Sequence, residues 1–118
     1  MHQIIFYQRA NGETPVLDYL RSLGESNGKE NRIKYNKIAQ YIKVLEDKGT
    51  RAGEPFMKRI EGDIWELRPL QDRILFAALV GGKFVLLHTF VKRTAKTPDR
   101  EKDQAKRELK DYLERGGE

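Results

Sequence analysis

The sequence predicts an α+β domain built on an antiparallel or mixed sheet, with elements in the order β-α-α-β-β-β-β-α. Three observations carry this. Apolar residues recur at helical spacing up to Lys48, alternate as in strands from Phe56 to Arg93, and return to helical spacing after Thr97. Helices and strands are thus segregated along the chain, which favours an antiparallel sheet over a doubly wound parallel one. The 118 residues suit one domain, 1–118, and a chain of this size buries roughly two-thirds of its unfolded surface.

Gln3 to Tyr7 is short, apolar and β-prone, and Asn11-Gly12 breaks it. Thr14-Pro15 supplies an N-cap and a first-turn proline. Val16, Leu17, Leu20 and Leu23 then form one apolar stripe that Gly24 is expected to end. After a polar turn, a second helix runs from about Lys29 to Lys48, with Tyr35, Ile38, Tyr41, Ile42 and Leu45 at helical spacing and Gly49 closing it. Thr50 to Pro55 is a loop.

Four strands follow, at about 56–60, 64–68, 73–80 and 84–92, separated by Gly62, Pro69 and Gly81-Gly82. Paired glycines between β-prone runs signal a hairpin, because both tolerate positive φ. Thr97-Pro98-Asp99 repeats the cap-and-proline start. Ala105, Leu109, Tyr112 and Leu113 give the last helix a narrow stripe that Gly116-Gly117 stops.

The chain has no cysteine, which excludes disulfides, thiolate metal sites and cysteine nucleophiles. No basic start leads into an apolar stretch, so no signal peptide is expected. The longest apolar run, Ile74 to Val80, is too short to span a bilayer. A cytoplasmic protein with no membrane partner is the expectation. Lys and Arg number 23 against 18 Asp and Glu, a net charge of +5. That balance suits a polyanionic partner, and equally an ordinary basic protein. Whether the cations gather on one surface decides.

Register supplies a test. With Gly81-Gly82 as a two-residue loop, Val80 falls opposite Lys83, Leu75 opposite His88 and Arg73 opposite Phe90. Arg73, Leu75, Ala77 and Leu79 then share a face with Phe84, Leu86, His88, Phe90 and Lys92. Ile74, Phe76, Ala78, Val85, Leu87 and Val91 form the opposite, helix-covered face. A four-residue loop from Pro69 to Asp72 sets Arg68 opposite Arg73, places Ile64 and Glu66 on the charged face and sends Trp65 and Leu67 to the core. A three-residue loop near Gly62 brings Lys58 beside Glu66 and Ile60 beside Ile64; a two-residue loop would bring Arg59 instead. One end of the less apolar face therefore collects Glu66, Arg68, Arg73, His88 and Lys92.

Such a patch suits a phosphodiester. Arginine grips phosphate bidentately, and several cations offset the charge of a pentavalent phosphoryl transition state. RNA brings its own nucleophile, the 2′-hydroxyl, so cleavage to a cyclic phosphate and a 5′-hydroxyl needs no metal. Each residue also has a plainer reading: Glu66 and Arg68 as a surface ion pair, His88 as a passive sheet histidine, Lys92, Arg93 and Lys96 as a basic turn, Trp65 as core. Two well-separated histidines without cysteines give no zinc spacing, no carboxylate pair suggests magnesium, and no phosphate-binding glycine loop appears. No metal and no cofactor are expected.

The runs Ile64-Trp65-Glu66-Leu67-Arg68, Asp72-Arg73-Ile74-Leu75-Phe76, Leu87-His88-Thr89-Phe90-Val91-Lys92-Arg93-Thr94 and Lys96-Thr97-Pro98, with Gly49 to Pro55 and Ala105-Lys106-Arg107-Glu108, resemble the HigB branch of the RelE/ParE toxin superfamily. The likeness covers essentially the whole chain. It implies a helix-flanked antiparallel sheet and an endoribonuclease that cuts messenger RNA in the ribosomal A site. It also implies a HigA-type helix-turn-helix antitoxin whose complex with the toxin binds operator DNA. By position, the family's basic active-site residues match Arg68, Arg73 and Lys92, with His88 as acid or base and Glu66 in support. Lys58, Arg59, Arg93 and Lys96 would hold the RNA backbone. The ParE-like branch, which inhibits DNA gyrase without cutting RNA, is the alternative; a shared fold does not choose between them.

Overall fold

The computed structural model describes residues 2–117. Its elements are β1 (Gln3–Phe6), α1 (Pro15–Glu25), α2 (Lys29–Lys48), a 3-10 turn (Gly49–Ala52), β2 (Met57–Glu61), β3 (Ile64–Leu67), β4 (Asp72–Leu79), β5 (Lys83–Val91) and α3 (Asp99–Glu114). The α+β class and the element order agree with the change of period along the sequence. Strands β2 to β5 form an antiparallel meander, and β1 joins it parallel to β5, giving the order β1-β5-β4-β3-β2. Among the described residues, no helix is long and apolar enough to cross a membrane.

Both faces of the sheet are covered, which corrects the expectation of helices on one face. Val16, Leu20 and Leu23 of α1 and Ile38 and Leu45 of α2 pack on Leu67, Ile74, Phe76, Phe84 and Leu86. On the opposite face, Ala105 and Tyr112 of α3 pack on Ile64, Leu75, Ala77, Val85 and Leu87. Strands β4 and β5 are apolar in consecutive positions, so each of their faces needs a layer that removes it from water. Burying one such side chain fully contributes about 1.5–3 kcal/mol.

The β4–β5 register differs from the count in an instructive way. Leu79, not Val80, pairs with Lys83, because Val80-Gly81-Gly82 forms a three-residue loop with both glycines at positive φ (84° and 75°). Val80 is left outside the ladder and is 96% exposed. The shift places Phe84 and Leu86 on the α1/α2 face and Val85 and Leu87 on the α3 face, the reverse of the predicted assignment. A bulge then inserts Leu87 between the Phe76–Leu86 and Leu75–His88 pairs, after which Arg73 pairs with Phe90 as predicted. Two one-residue displacements cancel, and the functional end of the hairpin keeps its predicted register. In β2, Lys58 pairs with Glu66 as predicted, but a second irregularity puts Glu61 rather than Ile60 opposite Ile64.

Helix ends follow local chemistry with two exceptions. Helix α1 starts at Pro15, where the Asp18 carboxylate accepts from both the Thr14 hydroxyl (2.8 Å) and the Thr14 N–H (3.0 Å). Gly24 does not end α1. It lies inside the helix, where a Cβ would come 3.2 Å from the Tyr35 ring, so the missing side chain lets α1 and α2 approach. Helix α3 starts at Asp99 with Pro98 as its cap, one residue later than expected. The Thr97 hydroxyl is engaged elsewhere, on Glu66.

Candidate functional site

The meander brings charges distant in sequence to one end of the sheet. Lys58 stands opposite Glu66, and Arg73 opposite Phe90. The Lys92 N–H donates to the Gln71 carbonyl (2.8 Å), which fixes the start of the segment leading to α3. That segment and the first turn of α3 rise over the sheet and close one side of an open cleft of about 450 Å³. Lys58, Arg59, Glu66, Arg68, Lys92 and Lys96 line it, joined by Thr97 and Lys102.

Glu66 is the hub. It is 1% exposed, accepts from the Thr97 hydroxyl (2.6 Å), and faces Arg68 Nε at 3.4 Å and Arg73 Nε at 3.7 Å. Arg68 also reaches Glu54 at 3.2 Å, so a carboxylate on each side holds its guanidinium at the cleft edge. Arg73 lies behind Glu66 and outside the cleft lining, donating through Nη1 to the Leu70 and Asp72 carbonyls, both at 2.8 Å. Burial lowers the pKa of Arg73, opposed by the attraction of Glu66.

Lys92 faces the cleft with its titration shifted by its surroundings. Partial burial lowers its pKa from the usual lysine value, Arg73, Arg68 and Lys58 add repulsion, and Glu66 opposes them. Among the described residues, the Lys58, Lys92 and Lys96 ammonium groups make no hydrogen bond or ion pair, whereas Lys102 reaches Asp99 at 3.3 Å. The cleft therefore offers uncommitted cations around one buried, fully engaged carboxylate. An anion would complete that arrangement.

Besides Arg73, two predicted residues lie outside the cleft. His88 sits beneath α3, with Nε2 2.7 Å from Glu101 Oε1, Nδ1 3.9 Å from Glu108 Oε1, and its ring stacked on Phe90 with centroids 6.0 Å apart. Arg93 borders a separate depression with Phe90, Arg100 and Glu101. Sequence reasoning missed Thr97, Lys102 and Glu54. Thr97 carried the signature of a helix cap, and nothing in the order of residues distinguishes a cap from a donor to a distant carboxylate.

No curated protein matches the chain. Residues 18–110 match the family described as phage derived protein Gp49-like (DUF891). That span runs from the first turn of α1 into α3 and includes every residue named in the cleft. With most of its length matched, the chain belongs to the phage-derived Gp49-like family of toxin-like, RelE-like proteins.

Proposed function

We propose that this chain is the HigB-type toxin of a toxin–antitoxin pair, and that it cleaves messenger RNA on the ribosome without a metal. The observation that carries this reading is the group of unpartnered lysines, Lys58, Lys92 and Lys96, arrayed with Arg68 around one cleft. Arg68, already oriented by Glu66 and Glu54, would take a phosphate oxygen, and Lys58 would offset the charge that develops as the 2′-oxygen bonds to phosphorus. The bond to the 5′-oxygen breaks as the cyclic phosphate forms. Lys92, protonated but with its pKa lowered, would give the 5′-oxygen its proton. The 2′-hydroxyl proton would pass to solvent in the open cleft.

Arg73 would act from behind by holding Glu66, and Arg59 and Lys96 would grip the RNA backbone. The cleft is open and has few apolar walls for a base, which favours a substrate already positioned by the ribosome. A helix-turn-helix antitoxin would neutralise the toxin and carry the complex to operator DNA. The test is to map messenger RNA 5′-ends in cells minutes after induction, for the wild type, Lys92→Ala and Arg68→Ala. New cleavages within translated regions, lost in both variants, are expected. Arrested growth with intact messages and broken DNA would replace this reading with gyrase inhibition.

A further inference from the structure

The segment from Lys92 to Pro98 crosses from the end of β5 to the start of α3 and walls one side of the cleft. Its two ends are fastened independently. The Lys92 N–H donates to the Gln71 carbonyl at 2.8 Å. In the first turn of α3, Glu101 lies 2.7 Å from His88 Nε2, and Lys106 of the same helix pairs with Glu61 on β2. Between these ends the Thr94 hydroxyl donates only within the segment, to the Lys96 carbonyl at 2.7 Å. Among the described residues, one hydrogen bond ties the middle of the segment to the sheet, from Thr97 Oγ1 to Glu66 Oε1 at 2.6 Å.

That hydroxyl does not serve the helix it precedes. Pro98 is the N-cap of α3, and no side chain caps its first turn. The hydroxyl completes a division of Glu66 instead. Oε2 faces both guanidinium groups, Arg68 Nε at 3.4 Å and Arg73 Nε at 3.7 Å, and Oε1 is left to Thr97. Glu66 also lines the cleft, stands opposite Lys58 in the ladder, and acts by its charge on Lys92. A buried carboxylate oxygen that lacks a donor is costly and recruits one. Lys58 and Lys92 carry uncommitted ammonium groups on flexible stems in the same cleft.

We propose that Thr97 is a positioning residue of the cleft: by donating to Glu66 Oε1 it keeps the carboxylate from pairing with Lys58 and Lys92, and so leaves both ammonium groups for a phosphate. The consequence for RNA cleavage rests on the nuclease reading; the consequence for phosphate binding does not. Without the hydroxyl, Oε1 turns to an ammonium group, and the substrate phosphate then competes with an internal anion. Pairing with a carboxylate favours the charged form of a lysine. Lys92, whose titration burial holds below the usual lysine value, should then move back upward. Because both ends of the segment keep their own fastenings, loss of this bond leaves α3 in place.

The experiment follows the lysine side-chain signals of the full chain by NMR while inorganic phosphate, and separately pH, is titrated. In the wild type, phosphate should shift the Lys58 and Lys92 signals. Thr97→Val, and Thr97→Ala, which puts no group in place of the hydroxyl, should bind phosphate at least about fivefold more weakly, the worth of one hydrogen bond. Lys92 should titrate at higher pH in both, and Thr97→Ser should restore the wild-type behaviour. A role confined to stability, which thermal melts read, would not move the Lys92 titration. On ribosomes, both variants should cut messenger RNA more slowly, with the alkaline limb of the rate moved upward. If the wild type cuts nothing while the phosphate and titration results hold, the nuclease reading fails and the role of Thr97 stands. Phosphate binding by Thr97→Val equal to the wild type, an unmoved Lys92 titration, or Thr97→Ser behaving like Thr97→Val would each overturn the proposal.

Discussion

Replacing Glu66 with Gln tests what holds the basic end of the sheet together. The carboxylate is 1% exposed and faces two guanidinium groups, one of them on Arg73, which is itself only 9% exposed. Gln keeps the size and can still accept from Thr97, so the change isolates charge. Breaking a buried pair while leaving its partner charged costs about 3–5 kcal/mol. Here the lower end applies, because Arg73 keeps its two carbonyl acceptors and Arg68 keeps Glu54. For a chain of this size, about 3 kcal/mol corresponds to a fall in Tm of about 12 °C. The double variant Glu66→Met/Arg73→Met removes both charges and should recover more than half of that loss. Calorimetry at neutral pH with matched heating rates reads both. A fall of less than about 3 °C in Glu66→Gln would refute the view that this carboxylate organises the site.

Further predictions concern the cleft, the backbone at Leu70 and the α3 face. If Lys92 supplies the proton, the alkaline limb of its cleavage rate should lie below the usual lysine range. Lys58→Ala should move that limb upward by removing a repelling cation, as a pH–rate series with purified ribosomes would show. At Leu70, where φ is 56°, Val should lower stability by about 1–2 kcal/mol because a β-branched side chain is strained there, whereas Asn should change it by less than about 1 kcal/mol; denaturant midpoints separate the two. His88→Gln should leave cleavage largely intact yet speed amide exchange in the first turns of α3, since His88 contacts Glu101 and Glu108 rather than the cleft. Burial first, and then the hydrogen bond to Asp111, raises the Tyr7 pKa to about 12. The folded state therefore favours the neutral phenol, and the stability this gives is complete below the unfolded value near 10 and lost as pH rises through about 12. Tyr7→Phe should make the alkaline loss shallower in parallel denaturant titrations, and equal slopes would argue against it.

Much of the arrangement was legible in the residue order because local rules fix it. The change of period from helical to alternating named every helix and strand but not the 3-10 turn Gly49–Ala52, and the Gly49 and Pro15 boundaries of the helices fell where turn chemistry puts them. The pairing of Lys58 with Glu66 and of Arg73 with Phe90 agrees with the count across turns only because a bulge in each hairpin offsets a loop one residue longer or shorter than the one counted. The run Phe84-Val85-Leu86-Leu87 shows where such reasoning stops. Register is specified when one face is polar and the other apolar. Four consecutive apolar residues look the same after a shift of one, so only the three-residue loop and the Leu87 bulge decide which of them meets α1 and α2 and which meets α3.

The candidate site divides along the same line. The sequence determined the charge inventory, the strands that carry Glu66, Arg68 and Arg73, and the end of the sheet where they meet. Tertiary structure alone decided depth. It placed Arg73 behind Glu66, covered His88 with α3, turned Arg93 away, and brought Thr97 and Lys102 in from a segment that reads as an ordinary helix start. Depth depends on which layer covers each face, and that layer comes from a helix distant in sequence whose apolar stripe can be recognised but whose landing place cannot. Alternation along a strand encodes a direction, up or down, and burial is settled only when a second element packs against it.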